Sequence, residues 1–169
     1  MAEIRPEPVD SPDVRLLLTE YQAEVRRRWS GPPPAEPLPA EAPADLELAS
    51  PQGVFLIARL DGHPVGCAGV RAFGTAPDAT RGAAPGTAAP GTAELKRLYV
   101  RPAGRGHGLG RLLLAAAEDA ARALGHARLR LDTMAELAEA RALYTATGYT
   151  DIPPYNTNPY AAHWLEKAL

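Results

Sequence analysis

One stretch constrains the chain more than any other: "ELKRLYV", then "RPAGRGHG", then "LGRLLLAAAEDAARAL", residues 94 to 124. A strand-like run passes through a glycine-rich turn straight into a leucine- and alanine-rich helical run. A strand that feeds directly into a helix belongs to a sheet with helices packed on it. The start of such a helix exposes main-chain N–H groups without partners and carries about half a positive charge. Gly106, Gly108 and Gly110 let that backbone approach an anion with no Cβ in the way. Lys96, Arg97, Arg101, Arg105 and Arg111 are expected to surround the turn, and no acid lies between Glu94 and Glu118. A polyanionic ligand is the expected partner; the alternative is a turn that is merely tight.

The rest of the pattern extends the sheet in both directions. "IRPEP", Ile4 to Pro8, reads as a first strand confined to an edge by its prolines. Ser11-Pro12-Asp13 opens a helix whose Val14, Leu17, Leu18, Tyr21 and Val25 recur at helical spacing. A short helical turn is expected around Asp45 to Ala49. "VFLIARL" and "HPVGCAGVRAF" flank Asp61-Gly62, the chain's strongest hairpin signal. After the glycine turn come the strand "ARLRLD", the helix "AELAEARALYTAT", the strand "YTDI", and a proline-rich tail that closes with one more strand. Segments at about 30–43 and 74–93 are rich in Pro, Gly, Ala and Thr and are expected as flexible loops. The 169 residues fit one domain, 1–169, of α/β (α+β) class.

Three phosphate-binding designs compete for the turn. A P-loop needs Gly-Lys followed by Ser or Thr, whereas this chain has Gly110-Arg111-Leu112. A dinucleotide fingerprint is nearer, because Asp132 ends the next strand at a suitable distance for a ribose contact. Its third glycine, however, falls on Leu109 or on Arg111, depending on the starting point. The third design, Arg-x-x-Gly-x-Gly, is met by Arg105, Gly108 and Gly110.

With that loop, "LYVRPAGRGHGLGRLLL" resembles the central motif of the GNAT superfamily of acyl-CoA-dependent N-acyltransferases. The resemblance runs on through "LRLDT" and "ARALYTATGYTDI" and covers roughly Val54 to Ile152. It implies a mixed, mostly antiparallel central sheet, splayed between strands four and five and flanked by helices. It implies acetyl-CoA as co-substrate, an amine acceptor (small molecule or peptide), direct transfer in a ternary complex, and a homodimer. Cofactor contacts are expected from Leu98, Tyr99 and Val100 along the pantetheine arm. Around the pyrophosphate, Arg105, Gly106, His107, Gly108, Leu109, Gly110 and Arg111 are expected, with backbone groups near Thr133 helping. Leu137 stands where the family often carries an asparagine that bonds the pantetheine. Independently, Leu95 followed by Leu98 and Val100 breaks strict alternation in strand four, which a β-bulge explains.

Moving an acetyl group to an amine needs a group that takes a proton from the amine and one that supports the departing sulfur. By the resemblance, Tyr144 is the acid and Glu94 the base. The alternatives are a ring packed on the sheet for Tyr144 and, for Glu94, an exposed strand-end acid or one paired with a nearby arginine. Tyr155, Asn156 and Asn158 of the tail are candidates to line the acceptor pocket or, alternatively, turn formers. Cys67 reads as a small buried side chain, and four scattered histidines give no metal site.

Composition narrows the classes further. A net charge of −2 argues against a general nucleic-acid binder, and no apolar run nears the roughly 20 residues that span a bilayer. One cysteine and a start without a basic-then-apolar segment lead to the expectation of a cytoplasmic protein with neither nucleic-acid nor membrane partners. A non-catalytic acyl-CoA-binding or sensing module and a nucleotide-dependent oxidoreductase remain as the other two readings.

Overall fold

Ser11 and Pro12 start the first helix as their types predict. The Ser11 hydroxyl accepts a hydrogen bond from the Val14 N–H at 3.2 Å, and proline takes the first turn. In this computed structural model, which describes residues 1–35, 45–73 and 91–169, helix α1 (Pro12–Arg28) follows strand β1 (Ala2–Pro6). Strands β2 (Gly53–Leu60) and β3 (His63–Ala72) form the hairpin about Asp61-Gly62, whose φ angles of 48° and 82° are those its tight turn requires. Then come β4 (Thr92–Val100), helix α2 (Leu109–Ala123), β5 (Arg128–Thr133), helix α3 (Ala138–Ala146), β6 (Thr150–Asp151) and β7 (His163–Ala168). The seven strands form one sheet in the order β1-β2-β3-β4-β5-β7-β6.

Every neighbouring pair is antiparallel except β4 and β5. These two run parallel and pair only over Thr92↔Arg128, Ala93↔Leu129 and Glu94↔Arg130. β4 then continues to Val100 without β5 beside it, so the sheet forks. The fork is the splay that the family resemblance implies.

Alternation divides the core in two. Leu56, Ala58, Leu95, Leu129 and Leu131 face α2, whose Leu109, Leu113, Leu114 and Ala117 pack on them. Phe55, Ile57, Cys67 and Tyr99 face α1, meeting Val14, Leu17 and Leu18. Between Cys67 and Gly69 the register of β3 slips against β4, and Arg97 takes a φ of +60°. This is the bulge that the Leu95, Leu98, Val100 pattern predicts. Cys67 Sγ donates to the Arg97 carbonyl oxygen at 3.3 Å and so holds the bulged peptide.

Some boundaries differ from expectation. The first strand spans Ala2–Pro6 instead of Ile4–Pro8, because its five residues pair in full with Leu56–Leu60. The segments expected as flexible loops lie outside the described residues except at their ends. There, Thr92 and Ala93 belong to β4 and are buried, since Ala93 fills the α2 side of the core. At the other segment, the Ser30 N–H donates to Glu136 at 3.0 Å. The strand expected at "YTDI" is only the two-residue β6 at the sheet edge.

Candidate active site

A cavity of about 360 Å³ lies against the stretch of β4 that β5 leaves unpaired, walled by α1, α3 and the start of α2. Leu98, Tyr99 and Val100 form its floor, and Arg105, Gly106 and Gly108 the turn at its mouth. Leu109, Gly110 and Arg111 begin the helix beyond. Nine of the residues expected to bind the cofactor therefore meet in one place.

The turn's backbone explains why. Gly106 and Gly108 have φ angles of +82° and +72°, a region that L side chains rarely adopt, and a Cβ at either would meet only open space. Conformation rather than room requires glycine there. Gly108 caps α2 with no side-chain hydrogen bond, so the N–H groups of the helix's first turn point outward without an intrahelical partner. Along the other wall, β4 from Leu95 onward has lost β5, so one edge of its main chain is free to pair with an extended polar chain. A group with anionic phosphates at one end and an amide-bearing arm at the other matches this arrangement, and coenzyme A is such a group.

Four predicted residues stand apart from the cavity's lining. His107 turns its Nδ1 onto the carbonyl oxygens of Arg105 and Gly104, at 3.0 and 3.3 Å, and so braces its own turn. Thr133 is buried, and its carbonyl accepts from the Ala162 N–H of the tail at 2.9 Å. Tyr144 is 5% exposed on α3, with its ring edge-on to Tyr149 at 5.8 Å. Burial pushes its hydroxyl well above the ordinary range, and neighbouring Tyr21 and Asp132 push it further, so it stays protonated.

Glu94, the fourth, is 1% exposed on the α1 face of the fork. Arg71 donates to its Oε2 at 2.8 and 3.1 Å, Lys96 Nζ lies 3.0 Å from its Oε1, and the Tyr155 hydroxyl donates to Oε1 at 3.3 Å. Burial alone would raise this carboxyl, but Lys96 and Arg71 outweigh it and hold the group below the usual carboxylate range. Glu94 is therefore an ionised, fully partnered acid next to the point where β4 and β5 part.

The basic residues expected to surround the turn divide between the two faces. Lys96 belongs to Glu94, while Arg97 reaches Asp45 at 3.4 Å and stacks over Tyr21. Arg101 pairs with Glu20 at 2.5 Å. Of the five, only Arg105 and Arg111 line the cavity, because the bulge and strand alternation send the others toward α1. Sequence reasoning missed the side chains that α1 and α3 add, among them Tyr21, Glu24, Arg28 and Glu139. Nothing local in "TEYQAEVRRR" indicates that Glu24 will face a turn eighty residues away. Leu137, standing in place of the family's asparagine, lines the cavity with Ala140 and Leu143 and gives that wall an apolar surface. Among the described residues no cluster of side chains suited to a metal ion occurs, and no helix is long and apolar enough to cross a membrane.

Known proteins agree with this geometry. The family model of the GNAT acetyltransferases matches residues 18–149. An uncharacterized N-acetyltransferase of Schizosaccharomyces pombe is 33% identical over 153 residues, which cover 90% of this chain and 83% of that protein. A Klebsiella pneumoniae structure assigned as an acyl-CoA N-acyltransferase superposes with a TM-score of 0.71 at 26% identity, covering 100% of this chain and 98% of that one. A Salmonella typhimurium protein, yncA, assigned as an acetyltransferase and solved with its cofactor acetyl-CoA, shares the fold with a TM-score of 0.64 at 18% identity, over 99% and 94% of the two chains. The chain belongs to the GNAT family of acetyltransferases.

Proposed function

We propose that residues 1–169 act as one catalytic domain that transfers an acetyl group from acetyl-CoA to a primary amine on a small molecule or peptide. The observation that carries this reading is the left-handed Gly106–Gly108 turn opening α2 beside the unpaired edge of β4. Acetyl-CoA, when bound, supplies an activated, thioester-linked acetyl group.

The residues then divide the work. Main-chain donors from Arg105 to Arg111 hold the diphosphate, with the side chains of Arg105 and Arg111 adding charge. Leu98 and Val100 align the pantetheine arm along β4 and so aim its sulfur into the fork. The acceptor enters from the α1 face and attacks the acyl carbon, forming the C–N bond as the C–S bond breaks. Tyr144, kept protonated by its burial, offers its hydroxyl to the departing sulfur. Glu94, kept ionised by Arg71 and Lys96, receives the proton that the amine gives up, by way of water.

Two measurements on purified protein test the reading. Calorimetry should register acetyl-CoA binding, and a panel of primary amines should contain acceptors that release free thiol. No heat with acetyl-CoA or free coenzyme A would end the proposal. Binding without turnover on any amine would reduce it to an acyl-CoA-binding module.

A further inference from the structure

One carboxylate on the acceptor face takes no part in the scheme above. The parallel register of β4 and β5 pairs residue 92 with 128, 93 with 129 and 94 with 130. Continued two residues further, it would set Lys96 beside Asp132 on the face toward α1. Strand pairing ends at Glu94↔Arg130, before that point, although the charge of Asp132 still acts on Lys96. Lys96 turns to Glu94 at 3.0 Å. Asp132 is held instead by the side-chain amides of the tail, accepting from Asn156 Nδ2 at 2.6 Å and from Asn158 Nδ2 at 3.0 Å.

Those partners fix the carboxylate but bring no charge. The neighbouring acids on this face are each compensated: Glu94 by Arg71 and Lys96, Glu47 by Arg71, and Glu166 by Arg128 and Arg130. Asp132, half-buried, makes no ion pair among the described residues. A carboxylate partly withdrawn from water, hydrogen-bonded by neutral amides and sharing the charge of Lys96 with Glu94, favours a further cation beside it. Its negative charge also bears on the hydroxyls of Tyr144 and Tyr155, which places it within electrostatic reach of the proposed acid.

We infer that Asp132 receives the acceptor's ammonium group, with Asn156 and Asn158 fixing its carboxylate. The acceptor class is then an aliphatic amine that is cationic at neutral pH, in preference to an arylamine or an alcohol. This inference rests on the acetyl-transfer reading. In that reading Asp132 recognises and orients the cationic acceptor, while Glu94 remains the proposed proton acceptor.

The structure supplies a reporter independent of turnover. Asn156 Oδ1 accepts from Trp164 Nε1 at 2.9 Å, so the indole N–H of Trp164 is linked through one side chain to Asp132. Titrating the ¹⁵N-labelled protein with n-butylammonium should shift that indole signal saturably, while n-butanol and butyrate leave it in place. Asp132→Asn should abolish the shift, keep its affinity for acetyl-CoA by calorimetry, and raise KM for aliphatic amine acceptors by at least about tenfold. The inference is overturned if n-butylammonium gives no saturable shift in the wild type, if n-butanol shifts the signal equally, or if Asp132→Asn responds like the wild type. The two comparison ligands need only the wild-type protein, so the test survives a variant that fails to fold. Failure of acetyl-CoA binding would instead strike the acetyl-transfer reading, and the two failures are read in separate experiments.

Discussion

Arg105 Nη2 lies 3.2 Å from Glu24 Oε1, so the cation at the mouth of the cavity is held by an acid of α1. The same guanidinium also donates from Nε to the Val100 carbonyl at 3.0 Å. Burial would raise the Glu24 carboxyl, but Arg27 and Arg105 outweigh it and keep the group ionised. Any phosphate arriving at the turn therefore competes with a resident anion.

Replacing Glu24 by Gln should accordingly tighten acetyl-CoA binding. Arg105 is close to half exposed, so the pair is worth no more than about 1 kcal/mol and the gain should stay within about fivefold. The difference should shrink as salt is raised, because exposed charges are screened. Calorimetry at two ionic strengths checks both statements.

Tyr144→Phe removes the hydroxyl proposed to meet the sulfur while keeping the ring that packs against Tyr149. Turnover should fall by about a hundredfold, with acetyl-CoA affinity and melting temperature near wild type. A variant as fast as the wild type would take Tyr144 out of the chemistry.

Glu94 links catalysis to acid stability. Its carboxyl titrates below the ordinary value of 4.5 in the folded protein, so the native state binds protons less readily there than the unfolded chain. The stability it contributes is complete above the unfolded-state value and is lost as pH falls through the folded-state one. Glu94→Gln should destabilise the protein at pH 7 by about 3 kcal/mol, since Arg71 and Lys96 lose their shared partner. Between pH 7 and pH 3 the variant should lose less stability than the wild type. Urea unfolding at the two pH values gives the comparison.

Cys67 is fully buried and its thiol is pushed up to about 12 by that burial. Iodoacetamide at pH 8 should label the native protein at least about a hundredfold more slowly than the urea-unfolded chain. Fast native labelling, followed by mass spectrometry, would contradict the packing of β3 against α1.

What was legible in the sequence is what local pattern dictates. The glycine turn, the Asp61-Gly62 hairpin and the Ser11 cap each follow from the backbone preferences of a few adjacent residues. The bulge was legible because Leu95 and Leu98 stand three apart where a regular strand needs an even number. Glu24 was not legible, since its place at the cavity depends on how α1 lies across the sheet. Nor was the partnership of Asp132 with Asn156 and Asn158: the asparagines read as turn formers, and only β7 inserting between β5 and β6 brings their loop over the fork. Glu94 was visible as an acid beside basic residues, but its three simultaneous partners come from β3, β4 and the tail.

The additional residue that Arg97 represents in β4 makes the strand's length as consequential as its chemistry. Ahead of it, Glu94 and Lys96 face α1; behind it, Leu98 and Val100 face α2 although they too are even-numbered. Deleting a single residue there would restore unbroken alternation and leave Leu98, Tyr99 and Val100 on their present faces, whereas flattening the bulge with the residue retained would turn each of them over, driving Tyr99 into the α2 layer and the two aliphatics toward α1. Shortening the strand by that one residue would therefore spare the pattern of faces and remove the bend that the bulge puts into β4 beside the cleft.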